Sequence, residues 1–391
     1  MRRAHGRAGK RLAAFRTWWT ACLLALAFAG SAWLPAAAAE SRTIGLVLMN
    51  WRVGVYETRG GKEECPDGFQ FNNMKQFRAQ FPTPEAQQAW MEKHGYPTNR
   101  GPDGENVYLF PTVVGAPLPF HQLRSKTAIG MNLDGETEGK GAGASLPHEN
   151  FVSPDGERGV DNQLYRVIGC IVGWRSEGMI QSIVATFVRT FSETRTIVEI
   201  SDVDDEKNDS DVTVSIYRGL DPTYMDAKGN GIPWLSQRPD YENGRRYITV
   251  AKGKIVDGVL MSEPAEVLLP ACENPRLPLD RLIHQGRLRL KLTRDGAEGF
   301  LGGYVDIENW YSIFVKSWGG HATGDVQGWS GPAFYKAMNE LADYRDPKTG
   351  KVTGISTAYQ VGFTRTFIVH GEKPRDAKTP SNARSASIAT R

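Results

Sequence analysis

Six carboxylates crowd the ten residues between Asp202 and Asp211: Asp202, Asp204, Asp205, Glu206, Asp209 and Asp211. The flanking runs, Thr196–Ser201 and Val212–Tyr217, are rich in β-branched residues. In the second, Val212, Val214 and Ile216 alternate with Thr213 and Ser215, as one face of a strand requires. A hairpin with such a tip repels itself unless cations neutralise it. Ca2+, a hard cation that takes six to eight oxygens, suits a donor set of Asp202, Asp204, Asn208, Asp209 and Asp211. The loop is not an EF-hand, because Lys207 stands at its sixth position and Thr213 at its twelfth.

Other oxygen-rich stretches offer less. Asp134, Asp155 and Asp161, with Asn132 and Asn162, form a second candidate metal set, distributed along a Gly-rich connection from Gly130 to Gly159 that has no apolar period. Asp226-Ala227-Lys228-Gly229-Asn230-Gly231 reads as an Asx or Gly turn.

Tyr304-Val305-Asp306-Ile307-Glu308-Asn309-Trp310 is the most enzyme-like run. In an extended chain Asp306 and Glu308 share a face about 6.5–7 Å apart, a spacing that suits a glycosidase acid–base pair. Tyr304 and Trp310 would then stack on sugar rings, and Trp318 and Trp329 extend the aromatic surface. The run resembles the acid-x-acid strand of laminarinase-like jelly-roll hydrolases. It departs from that pattern because Tyr304 stands at the first acid and no third acid follows. Trp310, Ile313, Phe314 and Trp318 also keep helical spacing, which would turn the two carboxylates apart. The histidines sit at no ligand spacing, and there is no GxSxG or HExxH.

The elements that must position these groups come next. Arg2, Arg3, Arg7, Lys10, Arg11 and Arg16 precede an apolar run from Trp18 to Leu34, and Ala37-Ala38-Ala39 fits a cleavage site. Residues 1–39 therefore read as a signal peptide, addressing the chain to the periplasm or the exterior with no later transmembrane segment. Without those residues, 41 basic side chains face 44 acidic ones, a net of −3, which removes the electrostatic case for nucleic acid. Cys65, Cys170 and Cys272 allow one disulfide whose pairing the sequence leaves open. No zinc or haem spacing occurs among them.

Ile44–Thr58 reads as a long strand, and Thr83-Pro84 as a helix start. Leu164, Val167, Ile168, Ile171 and Val172 share one helical face; Met179, Ile180, Ile183, Val184, Phe187, Val188 and Phe191 share another. After the acidic hairpin come runs at 246–251, 254–261 and 265–269, then RLRLKLT at 287–293 with Leu inward and Arg/Lys outward. A helix after Pro332 and a closing strand at 359–369 complete the pattern. Residues 371–391 have no apolar period and read as a disordered tail.

The segments LDG at 133–135, SPDGERGVDNQL at 153–164 and VDDEKNDSDVTVSIY at 203–217 resemble an uncharacterised family of secreted proteobacterial proteins. GlyGlyTyr at 302–304 and the runs at 346–357 belong to the same resemblance. It implies secretion and a shared fold, with no assigned activity.

The expectation is a mainly β chain: an antiparallel, jelly-roll-like β-sandwich over residues 40–370, with a helical insertion at 162–192. Its function would be that of a calcium-stabilised extracytoplasmic binding or structural protein, with a polysaccharide or other polymer as ligand. The rival is a secreted glycoside hydrolase using Asp306 and Glu308.

Overall fold

The structure is a computed structural model describing residues 41–69, 78, 81–94, 103–106, 109–113, 120–270, 279–316 and 330–371. The expected signal peptide, Cys272, Trp318, Trp329 and the tail beyond Gly371 lie outside the described residues.

Among the described residues thirteen strands carry the fold: β1 (Arg42–Val53), β2 (Phe151–Val152), β3 (Arg158–Val160), β4 (Thr196–Val203), β5 (Asp209–Arg218), β6 (Leu235–Gln237), β7 (Thr249–Val256), β8 (Val259–Ser262), β9 (Ala265–Leu269), β10 (Arg281–Leu292), β11 (Gly296–Asp306), β12 (Tyr344–Arg345) and β13 (Val352–Ile368). The helices are α1 (Pro84–His94), α2 (Gln163–Ile168), α3 (Met179–Thr190), α4 (Ile307–Tyr311) and α5 (Ser330–Glu340). Thr83 caps α1, its Oγ accepting from the Ala86 amide at 3.2 Å.

The sandwich expected from the sequence is wrong. The strands run β1-β4-β5-β7-β8-β10-β11-β13, and β13 pairs again with β1, closing an eight-stranded antiparallel barrel. The closing strand makes the difference. Tyr359 to Thr364 of β13 hydrogen-bond to β11 on one side, from Leu301 to Gly296, and to β1 on the other, from Val53 to Val47. Because the ring of pairings returns to its first strand, the eight strands enclose one interior instead of facing one another as two sheets. Register shifts at Leu48/Asn50, Asp209/Val212 and His284/Arg287 mark bulges, the devices that let a sheet curl enough to close.

Alternation then decides what lies inside. Leu46 and Leu48 of β1, Val198 and Ile200 of β4, Val212 and Val214 of β5, Leu288 and Leu290 of β10, and Tyr359 and Val361 of β13 belong to one buried apolar cluster. Lys252 and Lys254 of β7, and Arg287, Arg289 and Lys291 of β10, fall at the alternate positions. On β7 and β10, charged outward positions over an apolar interior invert the pattern of a barrel that spans a bilayer. No helix among the described residues is long and apolar enough to cross a membrane. Helix α3 packs on β1 and adds Ile180, Val184 and Val188 to the core, joined by the Trp174, Trp310, Phe314 and Phe334 rings, of which Trp310 and Phe334 stack and the others meet tilted or edge-on.

Residues 121–162 lie over the outer face of β11 and β13. Gly302 makes this approach possible: a Cβ there would meet Leu133 and Met131 at 3.0 Å. Met131 and Leu133 pack instead with Tyr304 and Tyr344 in a small outer core. A second outer core unites Val55, Leu123, Phe151, Val160 and Tyr165 with the disulfide Cys65–Cys170, whose Cα atoms are 5.7 Å apart across 105 residues of sequence.

Candidate binding site

The carboxylates at the tip of the β4–β5 hairpin are occupied locally. Asp209 accepts the Asp204 amide at 2.8 Å and the Asp211 amide at 3.1 Å, Asp205 accepts the Lys207 amide at 2.8 Å, and Asn208 accepts the Asp257 amide at 3.1 Å. Asp202, at a positive φ of 63°, accepts from the Thr213 hydroxyl. Lys252 pairs with Asp211 and Arg365 with Glu206, each at 2.7 Å. Among the described residues, no three His, Cys, Asp or Glu side chains are placed to hold a metal ion. The amide hydrogen bonds hold the Asp209 carboxyl below its ordinary pKa.

The enzyme-like run divides between two elements. Asp306 ends β11 and caps α4, accepting the Asn309 amide at 2.7 Å, while Glu308 lies inside the helix and accepts from the Tyr335 hydroxyl. They do not share a strand face. Tyr304 and Trp310 are fully buried, Tyr304 stacked on Tyr344 and Trp310 among Trp174, Phe314 and Phe334. Asp134 and Asp155 turn the outer loops: Asp134 accepts the amides of Glu136 and Ala142, and Asp155 bonds Ser153.

Asp161 is different. It is fully buried, and it meets two residues that nothing in the sequence singled out, His148 and Asp343. His148 Nε2 lies 2.8 Å from Asp161 Oδ1, and its Nδ1 lies 2.7 Å from the Leu146 carbonyl and 3.8 Å from Asp343 Oδ2. Asp161 Oδ2 accepts the Leu133 amide at 2.6 Å, and Asp343 Oδ1 accepts the Ser356 amide at 2.6 Å. Acceptors at both ring nitrogens require both to donate, so the imidazole is cationic. Burial alone would depress its pKa, but the bond to Asp161 and the charge of Asp343 outweigh it and raise the pKa to about 9. Burial pushes Asp343 up to about 7 and also raises Asp161. The cluster therefore retains protons that its members would release in water.

The next residues continue the stitching. Asn162 donates to the Gly54 and Ile129 carbonyls at 3.0 and 2.8 Å, and the Gln163 amide bonds Ser356 Oγ at 2.9 Å, which gives α2 the cap its own Asn162 does not supply. Gln163 in turn bonds the Glu149 carbonyl and accepts Arg166 Nε. The Arg166 guanidinium carbon lies over the Phe151 ring, 4.1 Å from its centroid.

These side chains line a cavity of about 490 Å³ between the loop at 122–124, Pro147–Glu149, one face of α2 and the C-terminal end of α5. Gln122, Arg124, His148, Gln163 and Arg166 supply its polar wall, Leu123, Leu341 and Ala342 its apolar one, and Glu149 and Glu340 stand among them. Arg166 is 7% exposed, and its one ion pair among those described is with Glu149 at 3.4 Å, a carboxylate that is itself largely in solvent. Burial lowers the Arg166 pKa, with Glu149 opposing.

The chain matches no family model, no curated protein and no solved structure.

Proposed function

We propose that the chain is an exported binding protein that takes a small carboxylate-bearing ligand, acidic sugars included, in the cavity beside Arg166. One observation carries this reading: a nearly buried guanidinium lines a cavity, and its charge is met by a single exposed carboxylate. The Arg166 Nε donates to Gln163 at 3.0 Å and its Nη1 and Nη2 to the Ser125 and Glu149 carbonyls at 3.4 and 3.2 Å, so an entering anion would gain from the charge, taking the place of the exposed Glu149 carboxylate. Gln122, Gln163 and Arg124 offer further donors for hydroxyl and carboxyl oxygens.

Binding is favoured over catalysis by what lines the cavity. No Ser, Thr, Cys or Tyr is among the lining residues, and both nitrogens of His148 are committed to fixed acceptors, so the ring has no free position from which to move a proton. The Cys65–Cys170 bridge supports the exported address, since such a bond persists in an oxidising compartment.

The test is calorimetric titration of the protein with acetate, succinate, citrate, glucuronate and galacturonate, and with the uncharged parent sugars as controls. At least one carboxylate is expected to bind more tightly than about 1 mM, with Arg166→Gln weakening it by about tenfold or more. Ala342→Phe, which fills the cavity from its apolar side, should abolish the same signal. A panel in which nothing binds, or in which both variants bind like the parent, overturns the reading.

A further inference from the structure

The cavity beside Arg166 carries opposite charge on its two sides. Arg166 and Arg124 belong to one wall, because the Leu123 amide bonds the Arg166 carbonyl at 2.9 Å and draws the loop at 122–124 onto α2. The C-terminal end of α5 forms the other, with Glu340 as its last residue. Pro147–Glu149 runs between them. The Leu146 amide bonds the Asp343 carbonyl just beyond α5 at 2.7 Å, and the Glu149 carbonyl accepts from Gln163 and Arg166 of α2 at 2.8 and 3.2 Å. A helix C-terminus carries about half a negative charge, which adds to that of Glu340.

The charges that face the cavity are paired with unequal strength. That of His148 is held by Asp161 and Asp343 behind it. Arg124 pairs with Asp67 at 2.8 Å and Glu340 with Lys336 at 3.6 Å, each between side chains that stand about half or more in solvent, where an ion pair contributes little. Arg166 is the buried member, and the carboxylate that answers it, Glu149, stands 67% exposed at 3.4 Å.

This balance selects among carboxylates. A plain anion that takes the place of Glu149 on Arg166 leaves the Glu149 carboxylate close by without a cation, in a cavity whose far wall is already negative. A ligand with an ammonium group beside its carboxylate avoids that cost. Its carboxylate meets Arg166 and its ammonium meets the displaced Glu149, so one ion pair becomes two and the net charge of the cavity is unchanged. An α-amino acid carries both groups on one carbon, which suits two partners that are themselves in contact. Leu123, Leu341 and Ala342 then offer an apolar surface to its side chain, and about 490 Å³ leaves room for a large one.

We infer, resting on the carboxylate site proposed at Arg166, that its ligand is a zwitterion, an α-amino acid with an apolar side chain.

Calorimetric titration of the whole chain with leucine, with isocaproate (leucine without its amine) and with isoamylamine (leucine without its carboxylate) tests it. Leucine is expected to bind at least about tenfold more tightly than isocaproate, with isoamylamine the weakest of the three. Glu149→Gln changes a side chain that lies mostly in solvent. It should weaken leucine by about tenfold yet tighten isocaproate, because the carboxylate that competes for Arg166 is gone, whereas a damaged fold would weaken both. Glu340→Gln should weaken leucine by a smaller factor, about twofold to threefold. Isocaproate bound as tightly as leucine, and lost in Arg166→Gln, overturns the zwitterion and leaves the carboxylate site standing. Leucine bound alike by the parent and by Glu149→Gln overturns it as well, as does a cavity that takes other carboxylates but neither of these. If no carboxylate binds at all, the site itself is overturned with its ligand.

Discussion

The hairpin tip at 202–211 and the cluster of His148, Asp161 and Asp343 are both anionic groups in need of compensation, and they obtain it in opposite ways. At the tip the carboxylates are close in sequence and open to solvent; Asp205 and Asp209 accept amides two to five residues away, Asp202 the Thr213 hydroxyl, and Lys252 and Arg365 pair with Asp211 and Glu206. In the cluster they come from positions 182 residues apart, are fully buried, and share one imidazolium. Charge density is high where it decides little and low where it fixes the placement of a whole loop. Solvent accounts for the contrast: water and mobile ions screen the tip, whereas nothing screens the cluster except its own members.

The largest expected effect follows from breaking the buried group. His148→Ala leaves two desolvated carboxylates without their cation, and a loss of about 3–5 kcal/mol is expected in urea unfolding. His148→Ala combined with Asp161→Asn and Asp343→Asn should recover part of that loss, because the carboxylates then no longer repel. If the single variant is as stable as the parent, the cluster does not hold the loop. The disulfide comes next. Replacing Cys65 and Cys170 together by Ser should cost about 2–4 kcal/mol. It should also weaken any cavity ligand, because the Glu64 carbonyl accepts the Arg124 amide at 2.8 Å and Cys170 follows closely on the helix that carries Arg166. A Tm unchanged by the double replacement would remove that link.

How much of this the sequence shows depends on the range of the interaction. The hairpin, the β-rich meander and the 3.6-residue period from Met179 to Phe191 are local, and β4, β5, β7–β9 and α3 occupy those stretches. Closure of the barrel is not local. It rests on β1 meeting β13 across some 300 residues, and the alternation within each strand is the same whether the sheet closes on itself or packs on another. The same applies to the site. Asp161 and Asn162 stood out only as oxygen donors of a candidate metal set, at the end of a Gly-rich connection with no apolar period. His148 is one histidine among several, in a loop with no period, and Asp343 follows a helix end where an acid is unremarkable. The one local sign was the run Asp161-Asn162-Gln163, three polar residues immediately before an apolar helical face, which is where a chain is bonded to its scaffold. Asp306 and Glu308 mislead for the opposite reason: their spacing has meaning in a strand, and α4 begins between them.

A pH series sharpens the contrast between the two regions. Raised folded pKa values mean that the folded cluster binds protons the unfolded chain has released, so its stabilising contribution falls as pH rises. For Asp343 the contribution is complete below the unfolded carboxylate value and is lost as pH climbs to about 7; for His148 it is complete below about 6.5 and is lost through about 9. At the tip Asp209 has the reverse sign, its contribution vanishing as pH falls below the ordinary carboxylate range. Asp343→Asn should therefore flatten the decline of Tm between pH 5 and 7 and leave the acid limb unchanged. An unaltered slope would show that Asp343 is ionised throughout.

The smallest effect is expected at the tip itself. Asp209 holds two amides in an exposed turn, so Asp204→Ala with Asp209→Ala should cost no more than about 1 kcal/mol, since water replaces each lost acceptor. Lys252 and Arg365 each pair with one of the six carboxylates, Asp211 and Glu206, which eases the repulsion without ordering the acids around a centre. The measurement that separates the two arrangements is a Tm recorded with and without 5 mM CaCl2 after exhaustive treatment with EDTA. With the carboxylates directed at amides and at two side-chain cations, the parent and the double variant should shift alike. A rise of several degrees with Ca2+ in the parent alone would mean that the turn reorganises around the ion, and that the tip resembles the buried cluster in drawing its acids onto a single positive charge.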